Sequence, residues 1–587
     1  GDIARLNSEW DGDYRSWEEV APMSLDDARA RGNAAPWVDH RMHMDEVFAR
    51  AVALDRAAIQ EVDPGARVGL DSQELGHIYH GFNQLSLLQN NEVAALYPAG
   101  LQDVIFDFAG PMSLMGTWYG GYNHHRNEKS ERELPWRDLL YGCRSTFWFT
   151  GFSYATTTEQ FPAIAPDFTL FQVFKWTMEE IAEIKAGTGK LILNADKQHD
   201  GIAILYTQGN VYANALLAGP DGGHGSTYMG QLIAVNGTLK TLGYKARFTG
   251  LEDGPGAGDR LLAKGFKVLL LIRAHALSAS EVAAIREFVA AGGVVITDTR
   301  PGVMDGHCKM LPVPSLNGMF GIEFGRDADA RNGSLQVQSS WAGLELAQTL
   351  NATFDASLKV TGGKALGWRL REPQFSVAVA KTHGQGKTIY LNTSVTEARQ
   401  LITPILSWAG IPKRVELGGA FNGSTSFVSA DTEYIGFMAL ESRDDVQLTF
   451  YRRSHLYDMR TRQYLGQTDT CRTDLEDART KLYALLPYRV DGVALELDAT
   501  GYSRGDVLTY QIRIKNSEQG AGNQCVRMQL FDSTGTACRW ADRNVLSGAQ
   551  QMQGTMQIPF NAAPGQWKIT ATEAVTGKTV DRKFTVE

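Results

Sequence analysis

The sequence predicts a multidomain α/β protein with a partial (β/α)8 barrel of about strands 5–8, a flavodoxin-like α/β domain and C-terminal β domains. Its 587 residues exceed what one hydrophobic core usually holds, so several domains are expected. Short apolar runs alternate with helical stretches through the first two thirds of the chain, which is typical of βα units around a parallel sheet. The last third alternates apolar and polar residues between turn signals, which indicates antiparallel β structure.

Four apolar runs predict the barrel strands. A helix at about 38–62 precedes them, and further helices are predicted near Trp136 and over 169–187. A closed barrel needs eight strand–helix units, so the remaining half is expected to lie outside this sequence or on a second chain. The four runs are ARVGLD (66–71), NEVAALYP (91–98), SLMGTWYGGYN (113–123) and RSTFWFTGFSY (144–154).

A second pattern of strands and helices comes after the barrel segment. GIAILYTQ (201–208), KVLLLI (267–272) and VVITDT (294–299) are predicted strands, and a capping box at Ser278–Glu281 opens a helix between the last two. These elements predict an open α/β domain. The expected domains are the half-barrel at 1–190, the α/β domain at 191–414, a small β domain at 415–497 and an immunoglobulin-like sandwich at 498–587.

Composition and charge exclude several classes of partner. The net charge of −9 argues against nucleic acid or an anionic membrane, since both reward a basic surface. No apolar run has the length of a transmembrane helix, and Gly1-Asp2-Ile3 lacks the basic start and apolar core of a signal peptide. The five scattered cysteines suggest free thiols, and no cofactor or metal is expected. The compartment stays open, with the periplasm or the exterior slightly favoured.

Carboxylates, aromatic rings and amides follow the predicted barrel strands. At the C-terminal ends of barrel strands, such groups suit a sugar-binding cleft. The candidate catalytic residues are Asp71 and Glu74, and the candidate substrate-binding residues are Tyr97, Trp118, Tyr119, Tyr122, Asn123, His124 and Trp148.

Each candidate also has a structural interpretation. Asp71 could act in glycosidic cleavage or simply cap the turn after its strand, and Glu74 could complement the dipole of a following helix. The glutamates of RNEKSERE (126–133) are expected to lie in a solvated loop. The aromatic rings could stack on sugar faces or fill a core, and a zinc site at adjacent histidines lacks the usual spacing.

Several segments resemble glycoside hydrolase family 42 β-galactosidases. LNSEWDGDYRSWEEVAP, ALYP and WRDLLYGCRSTFWFTGFSY with Glu159-Gln160-Phe161 resemble the C-terminal half of that family's catalytic barrel. GIAILYTQ and LSASEVAAIREFVAAGGVVITDTRPGVMD look like its trimerisation domain, which has a class I glutaminase-like fold. The resemblance covers roughly 1–490 and implies a carbohydrate substrate and a homo-oligomer, with a trimer as the form it suggests.

The resemblance also implies positions for the catalytic glutamates. The family's acid/base, at the end of the fourth strand, would fall outside this sequence. Its nucleophile, at the end of the seventh strand, would lie near Thr117, where this sequence has no carboxylate. In the α/β domain, a glutaminase-like nucleophile would follow LLLI, yet Arg273-Ala274-His275 stands there, which favours a structural, assembly role.

The sequence therefore supports two functions. The first is a glycoside hydrolase acting with a carboxylate pair on a galactose-containing or related oligo- or polysaccharide, with part of the site outside this chain. The alternative is a non-catalytic glycan-binding or scaffolding protein built on a degenerate glycosidase barrel.

Overall fold

The computed structural model describes residues 2–71, 77–97, 102–109, 114–120, 127–149, 151, 163–218, 226–251, 254–418, 421–517, 522–548 and 551–587. The chain divides into two compact units. The first unit contains Gly1–Met115 and His199–Pro412, and the second unit contains Gly116–Gln198 and Lys413–Glu587. Mixed α/β structure is confirmed, with helices interleaved with parallel strands before about residue 300 and β-strands dominating after it.

The first unit begins with three helices followed by a pair of parallel strands. Helix α3 carries Pro36 in its first turn, where a missing N–H costs nothing, and it ends at Asp63 as expected from the Asp-Pro-Gly stop. Strands β1 and β2 pair in parallel, with Gly69 opposite Val93. The elements are α1 (Ile3–Trp10), α2 (Leu25–Arg31), α3 (Ala35–Val62), β1 (Gly69–Asp71), α4 (Gln84–Leu88), β2 (Val93–Leu96), α5 (Gln102–Ala109) and the start of β3 (Leu114–Gly120).

The second unit opens with another parallel strand pair. Strand β3 pairs with β4, with Gly116 opposite Ser145 and Tyr119 opposite Trp148. The four described strands lie within the four predicted runs and are shorter than them. The elements are α6 (Glu128–Tyr141), β4 (Ser145–Phe149), α7 (Gln172–Glu183), a π-helical turn over Ile184–Thr188, α8 (Gly189–Ile192) and β5 (Asp196–Lys197).

The rest of the first unit is an α/β domain with a nine-stranded sheet and a separate two-stranded sheet. Its strands are β6 (Ile202–Leu205), β7 (Ala246–Thr249), β8 (Val268–Leu271), β9 (Val294–Asp298), β10 (Ile322–Glu323), β11 (Ala330–Trp341), β12 (Leu344–Asp355), β13 (Lys359–Val360), β14 (Lys364–Arg369), β15 (Glu372–His383) and β16 (Gly386–Leu391). Its helices are α9 (Gln208–Leu217), α10 (Ser226–Thr241), α11 (Ala257–Ala263), α12 (Ala279–Ala290), α13 (Asn317–Phe320) and α14 (Arg399–Trp408).

The sheet order is β12-β11-β14-β15-β16-β9-β8-β6-β7. Strands β7, β6, β8, β9 and β16 are parallel, and numbering them along the chain gives the order 2-1-3-4-5 of a doubly wound sheet. The predicted capping box is confirmed, since Ser278 and Glu281 exchange side-chain and backbone hydrogen bonds at the start of α12. The strand predicted to reach residue 208 ends at Leu205, because the Thr207 side chain accepts the Asn210 N–H and caps α9.

The second unit continues as β structure in three sheets. One has the order β17-β20-β22-β19-β18-β5, with β21 also paired to β20, and the others are β23-β25-β28 and β24-β30-β29-β26-β27. The last two sheets share one core, in which Leu508 and Ile512 lie with Met528 and Ile569. The strands are β17 (Val415–Leu417), β18 (Phe421–Ser429), β19 (Thr432–Ala439), β20 (Arg443–Asp458), β21 (Gln463–Leu475), β22 (Thr480–Leu486), β23 (Val490–Leu497), β24 (Gly501–Tyr502), β25 (Val507–Asn516), β26 (Gln524–Phe531), β27 (Arg543–Ser547), β28 (Gln551–Gln557), β29 (Gly565–Glu573) and β30 (Thr579–Val586).

The cysteines agree with the prediction made for them. The five cysteines are free thiols, as expected. Among the described residues, no helix is long and apolar enough to cross a membrane.

Candidate functional site

Asp71 ends strand β1 on the face that points away from the helices. The neighbouring Leu70 packs against the apolar cluster of Ala49, Val52 and Leu87 from α3 and α4. Successive side chains of a strand point to opposite faces, so Asp71 projects from the opposite face of the sheet. The side chain is exposed. A carboxylate at a strand C-terminus and on the face opposite the helices is where a barrel enzyme places catalytic groups.

Tyr97 directly follows strand β2. Asp71 is opposite Ala95 in the β1–β2 register, and β2 ends at Leu96, directly before Tyr97. The Tyr97 side chain is 41% exposed. The structure thus places an exposed carboxylate and an exposed phenol ring at the C-terminal ends of two neighbouring parallel strands.

Glu92 anchors the beginning of this strand pair to α3. Its carboxylate accepts hydrogen bonds from Arg56 Nε at 2.9 Å, from Gln60 Nε2 at 3.2 Å and from the Val68 N–H at 3.0 Å. The Arg56 hydrogen bond lowers the pKa of Glu92 to about 2, so the group stays ionised and is a structural anchor. A Cβ atom on Gly69 would lie 1.8 Å from the Val93 carbonyl oxygen, so only glycine allows this close approach.

In the second unit, the β3 strand faces a buried carboxylate on α6. The Thr117 hydroxyl and the Tyr119 hydroxyl both donate to Asp138 Oδ2, the latter at 2.8 Å. Burial raises the pKa of Asp138 to about 6, although both hydroxyl donors act in the opposite direction. Thr117 occupies the position where the resemblance places a nucleophile, and its side chain is fully buried.

Tyr119 and Trp148 pack internally. Tyr119 is 2% exposed, and its ring stacks on Trp148 with centroids 4.8 Å apart. Trp148 also meets the edge of Phe174 from α7 at 4.6 Å. Both rings belong to the face that packs on α6 and α7. Tyr119 therefore has a packing and hydrogen-bonding role in place of the expected sugar-stacking role. Trp148 contacts the helix layer.

Trp118 lies on the opposite face of β3. It is half-buried beside Phe147, with ring centroids 5.4 Å apart. Because neighbouring strand residues point to opposite faces, Trp118 points away from the face of Tyr119. Trp118 therefore remains a candidate to face a ligand. The candidates Glu74, Tyr122, Asn123 and His124 lie outside the described residues.

The glutamates expected in a solvated loop belong to helix α6. An Asn127–Ser130 capping box begins the helix, so the prediction of a loop here is wrong. Glu128 pairs with Arg132 and Glu133 with Arg137, each one helical turn later.

Glu131, the remaining glutamate of that stretch, is buried and accepts a hydrogen bond from Thr177 at 2.8 Å. Reasoning from the sequence missed both Glu131 and Asp138 as buried carboxylates. The signal that could have found them is their spacing: seven residues apart, they fall on the same helix face as Pro135 and Leu139.

The turn after β8 in the α/β domain is held by hydrogen bonds between backbone groups and side chains. Arg273 has a φ of 45°, and its N–H donates to Asp298 Oδ1 at 2.6 Å. Burial lowers the pKa of His275 to about 4, which leaves it neutral near its contact with the Arg300 carbonyl at 3.2 Å. Burial also raises the pKa of the Cys308 thiol well above its usual value, so this cysteine is unreactive.

Within the described part of the chain, no three His, Cys, Asp or Glu side chains are grouped to hold a metal ion.

Comparisons with known proteins give a structural likeness. No family model and no curated protein sequence matches the chain. The β-galactosidase from Bacillus circulans sp. alkalophilus is 14% identical with a TM-score of 0.67, over 83% of this chain and 74% of the other. Gan42B, a GH42 β-galactosidase from G. stearothermophilus, is 14% identical with a TM-score of 0.65, over 82% and 73%. The apo exo-carrageenase GH42 from Bacteroides ovatus is 11% identical with a TM-score of 0.50, over 83% and 61%.

Proposed function

We propose that this chain, which has a fold like that of glycoside hydrolase family 42 β-galactosidases, hydrolyses glycosidic bonds in a galactose-containing or related oligo- or polysaccharide. One observation carries the proposal: Asp71 ends a parallel strand, is exposed, and projects from the face opposite the helices.

The chemistry needs two carboxyl groups at the scissile bond. Asp71 is proposed as one of them, and Glu74, three residues later in the sequence, as the other. One carboxyl group protonates the leaving oxygen while the other attacks the anomeric carbon or activates water, depending on their separation. In the first unit, Tyr97 is proposed to contact a sugar ring through its aromatic face. For the second unit, the same role is proposed for Trp118 by itself.

Hydrolysis of a panel of aryl glycosides, with β-galactosides among them, tests this proposal. Release of the aryl group by the purified chain would be followed alongside direct titration with the matching galacto-oligosaccharides. Turnover above the uncatalysed rate supports hydrolysis. Measurable oligosaccharide binding with no turnover on the whole panel contradicts it.

A second candidate function, glycan binding without catalysis, is favoured by strand β3. Leu114–Gly120 contains no carboxylate, and Thr117 is buried in its hydrogen bond to Asp138. In that case the strand-end aromatic residues would hold glycan while no bond is cleaved.

The α/β domain is proposed as a flavodoxin-like assembly domain of a homo-oligomer. Support comes from the 2-1-3-4-5 parallel order and from an Arg273 turn that has no thiol where a glutaminase-like nucleophile would stand. Light scattering coupled to size-exclusion chromatography tests it: a trimer mass supports the proposal, and a monomer across micromolar concentrations contradicts it.

A further inference from the structure

A cavity of about 710 Å³ lies in the second unit between helix α7 and the last sheet of the chain. Met178 and Ile181 from α7 form an apolar side, and both are half-buried. The opposite side comes from β26, β27 and the 3-10 turn Arg539–Ala541. The volume suits a ligand of one to a few rings, since small-molecule sites commonly measure roughly 300–1,000 Å³.

The cavity carries an excess of positive charge. Lys185, Arg527, Arg539 and Arg543 line it, and Asp542 is the one carboxylate among its described lining residues. Asp542 pairs with Arg527 at 2.8 Å. Among the residues that the structure describes, Lys185, Arg539 and Arg543 have no carboxylate within ion-pair distance, although the chain as a whole has a net charge of −9.

The walls of this cavity are fixed by hydrogen bonds independent of any ligand. Arg527 Nη1 and Asn544 Nδ2 both donate to the Lys185 carbonyl, at 3.2 and 2.9 Å. Arg543 Nη1 donates to the Thr555 carbonyl at 2.8 Å, which holds its guanidinium without neutralising it. A preformed arrangement of this kind lowers the ordering cost of binding.

A second cavity in the same unit has the opposite balance of charge. The described residues that line that cavity, of about 770 Å³, include six carboxylates and four cations. Its arginines are neutralised, since Arg132, Arg460 and Arg479 all pair with Glu180. The cavity at Lys185 therefore differs from it in presenting cations without a counter-charge from the described part of the chain.

We propose that the cavity at Lys185 binds an acidic sugar, whose sulfate or carboxylate group pairs with Lys185, Arg539 and Arg543. The C–H face of a sugar ring suits the apolar side at Met178 and Ile181. Trp540, next to Arg539 in the sequence, is 60% exposed and provides an aromatic ring for a neighbouring sugar. The carbohydrate part of this inference rests on the proposed function, whereas the anionic part rests on the charges alone.

Titration calorimetry with four probes of matched length tests the inference. The probes are a sulfated galactan oligosaccharide, an oligogalacturonate, a neutral galacto-oligosaccharide and an oligouridylate. The test variant is Lys185→Gln with Arg539→Gln, because both side chains are exposed and form no ion pair with the described residues. The matched control is Arg504→Gln with Lys515→Gln, two exposed cations of the same region that do not line the described cavity.

The inference expects tight binding of an acidic oligosaccharide that weakens with salt and drops about tenfold or more in the test variant only. A preference for the sulfated over the uronate probe, or the reverse, identifies the anionic group. Three results would each overturn the inference. The neutral probe could bind as tightly as the acidic oligosaccharides, or the control variant could lose as much affinity as the test variant. The third is that Lys185 and Arg539 matter for binding of the oligouridylate alone. Because binding is measured without turnover, an inactive chain that still binds refutes only hydrolysis.

Discussion

The buried carboxylate of Glu180 is the best place to test how the second unit is held together. Its side chain is 5% exposed and accepts hydrogen bonds from Trp136 Nε1 at 2.7 Å and Arg460 Nη2 at 2.7 Å. Its other oxygen accepts from Arg132 at 3.1 Å and Arg479 at 2.9 Å. One charge thus joins α6, α7 and the β20–β22 region.

Glu180→Gln removes that charge and turns an N–H group toward an arginine donor. Removing one partner of a buried ion pair costs about 3–5 kcal/mol. Each arginine keeps a second carboxylate, at Glu179, Glu183 or Glu476, so we expect the low end, about 3 kcal/mol. For a unit of this size, that lowers the unfolding temperature by about 6–12 °C.

Calorimetry, with hydrogen exchange of the α6 and α7 peptides, measures the loss. The matched control is Glu179→Gln, whose carboxylate is 60% exposed and pairs with Arg132 at 2.7 Å, so it should cost less than about 1 kcal/mol. If Glu180→Gln destabilised the protein no more than this control, the assignment of Glu180 as the central anion would be refuted.

The same variant has a defined pH dependence. Burial raises the pKa of Glu180, but the Trp136 hydrogen bond and the Arg460 charge, together with the other arginines, outweigh it and leave the pKa below its ordinary value. The stabilisation is therefore present above the ordinary glutamate pKa and lost as pH falls through the lowered value. The difference between wild type and Glu180→Gln should shrink in acid.

Two further predictions concern strands β1 and β3. Because burial raises the pKa of Asp138 to about 6, its contribution to stability is present below about pH 4 and lost as pH rises to 6. In urea unfolding, the stability of Asp138→Asn relative to wild type should therefore rise by about 3 kcal/mol from about pH 4 to about pH 6. A stability difference that does not change with pH would contradict this. Gly69→Ala should cost more than about 2 kcal/mol, because its Cβ would meet the Val93 carbonyl at 1.8 Å and separate β1 from β2. A Gly69→Ala variant as stable as wild type would show that β1 and β2 can separate without loss of stability.

Local sequence signals predicted the positions of the elements well. The capping box at Ser278 and the apolar runs 267–272 and 294–299 located α12, β8 and β9, because these signals act over a few residues. The stretch at 126–133 was misread, since its charge density outweighed the Asn127 cap that begins α6. Trp118 and Tyr119 were both expected to bind substrate, but neighbouring residues of a strand point to opposite faces, and which face meets the helices depends on tertiary packing.

The candidate site was predictable only in part for the same reason. The position of Asp71 at a strand end followed from its sequence context, whereas its exposed face followed from the packing of Leu70 on α3 and α4. The hydrogen bond from Tyr119 to Asp138 joins residues nineteen positions apart on different elements. No local sequence pattern predicts it.

The most direct test of the central claim is kcat/KM for an aryl β-galactoside measured with Asp71→Asn and Asp71→Ala beside wild type. Asp55→Asn, an exposed carboxylate on α3, is the matched control. The account predicts a loss of about a thousandfold or more at Asp71 with an intact fold, and wild-type rates in the control. Wild-type turnover in both Asp71 variants would contradict it.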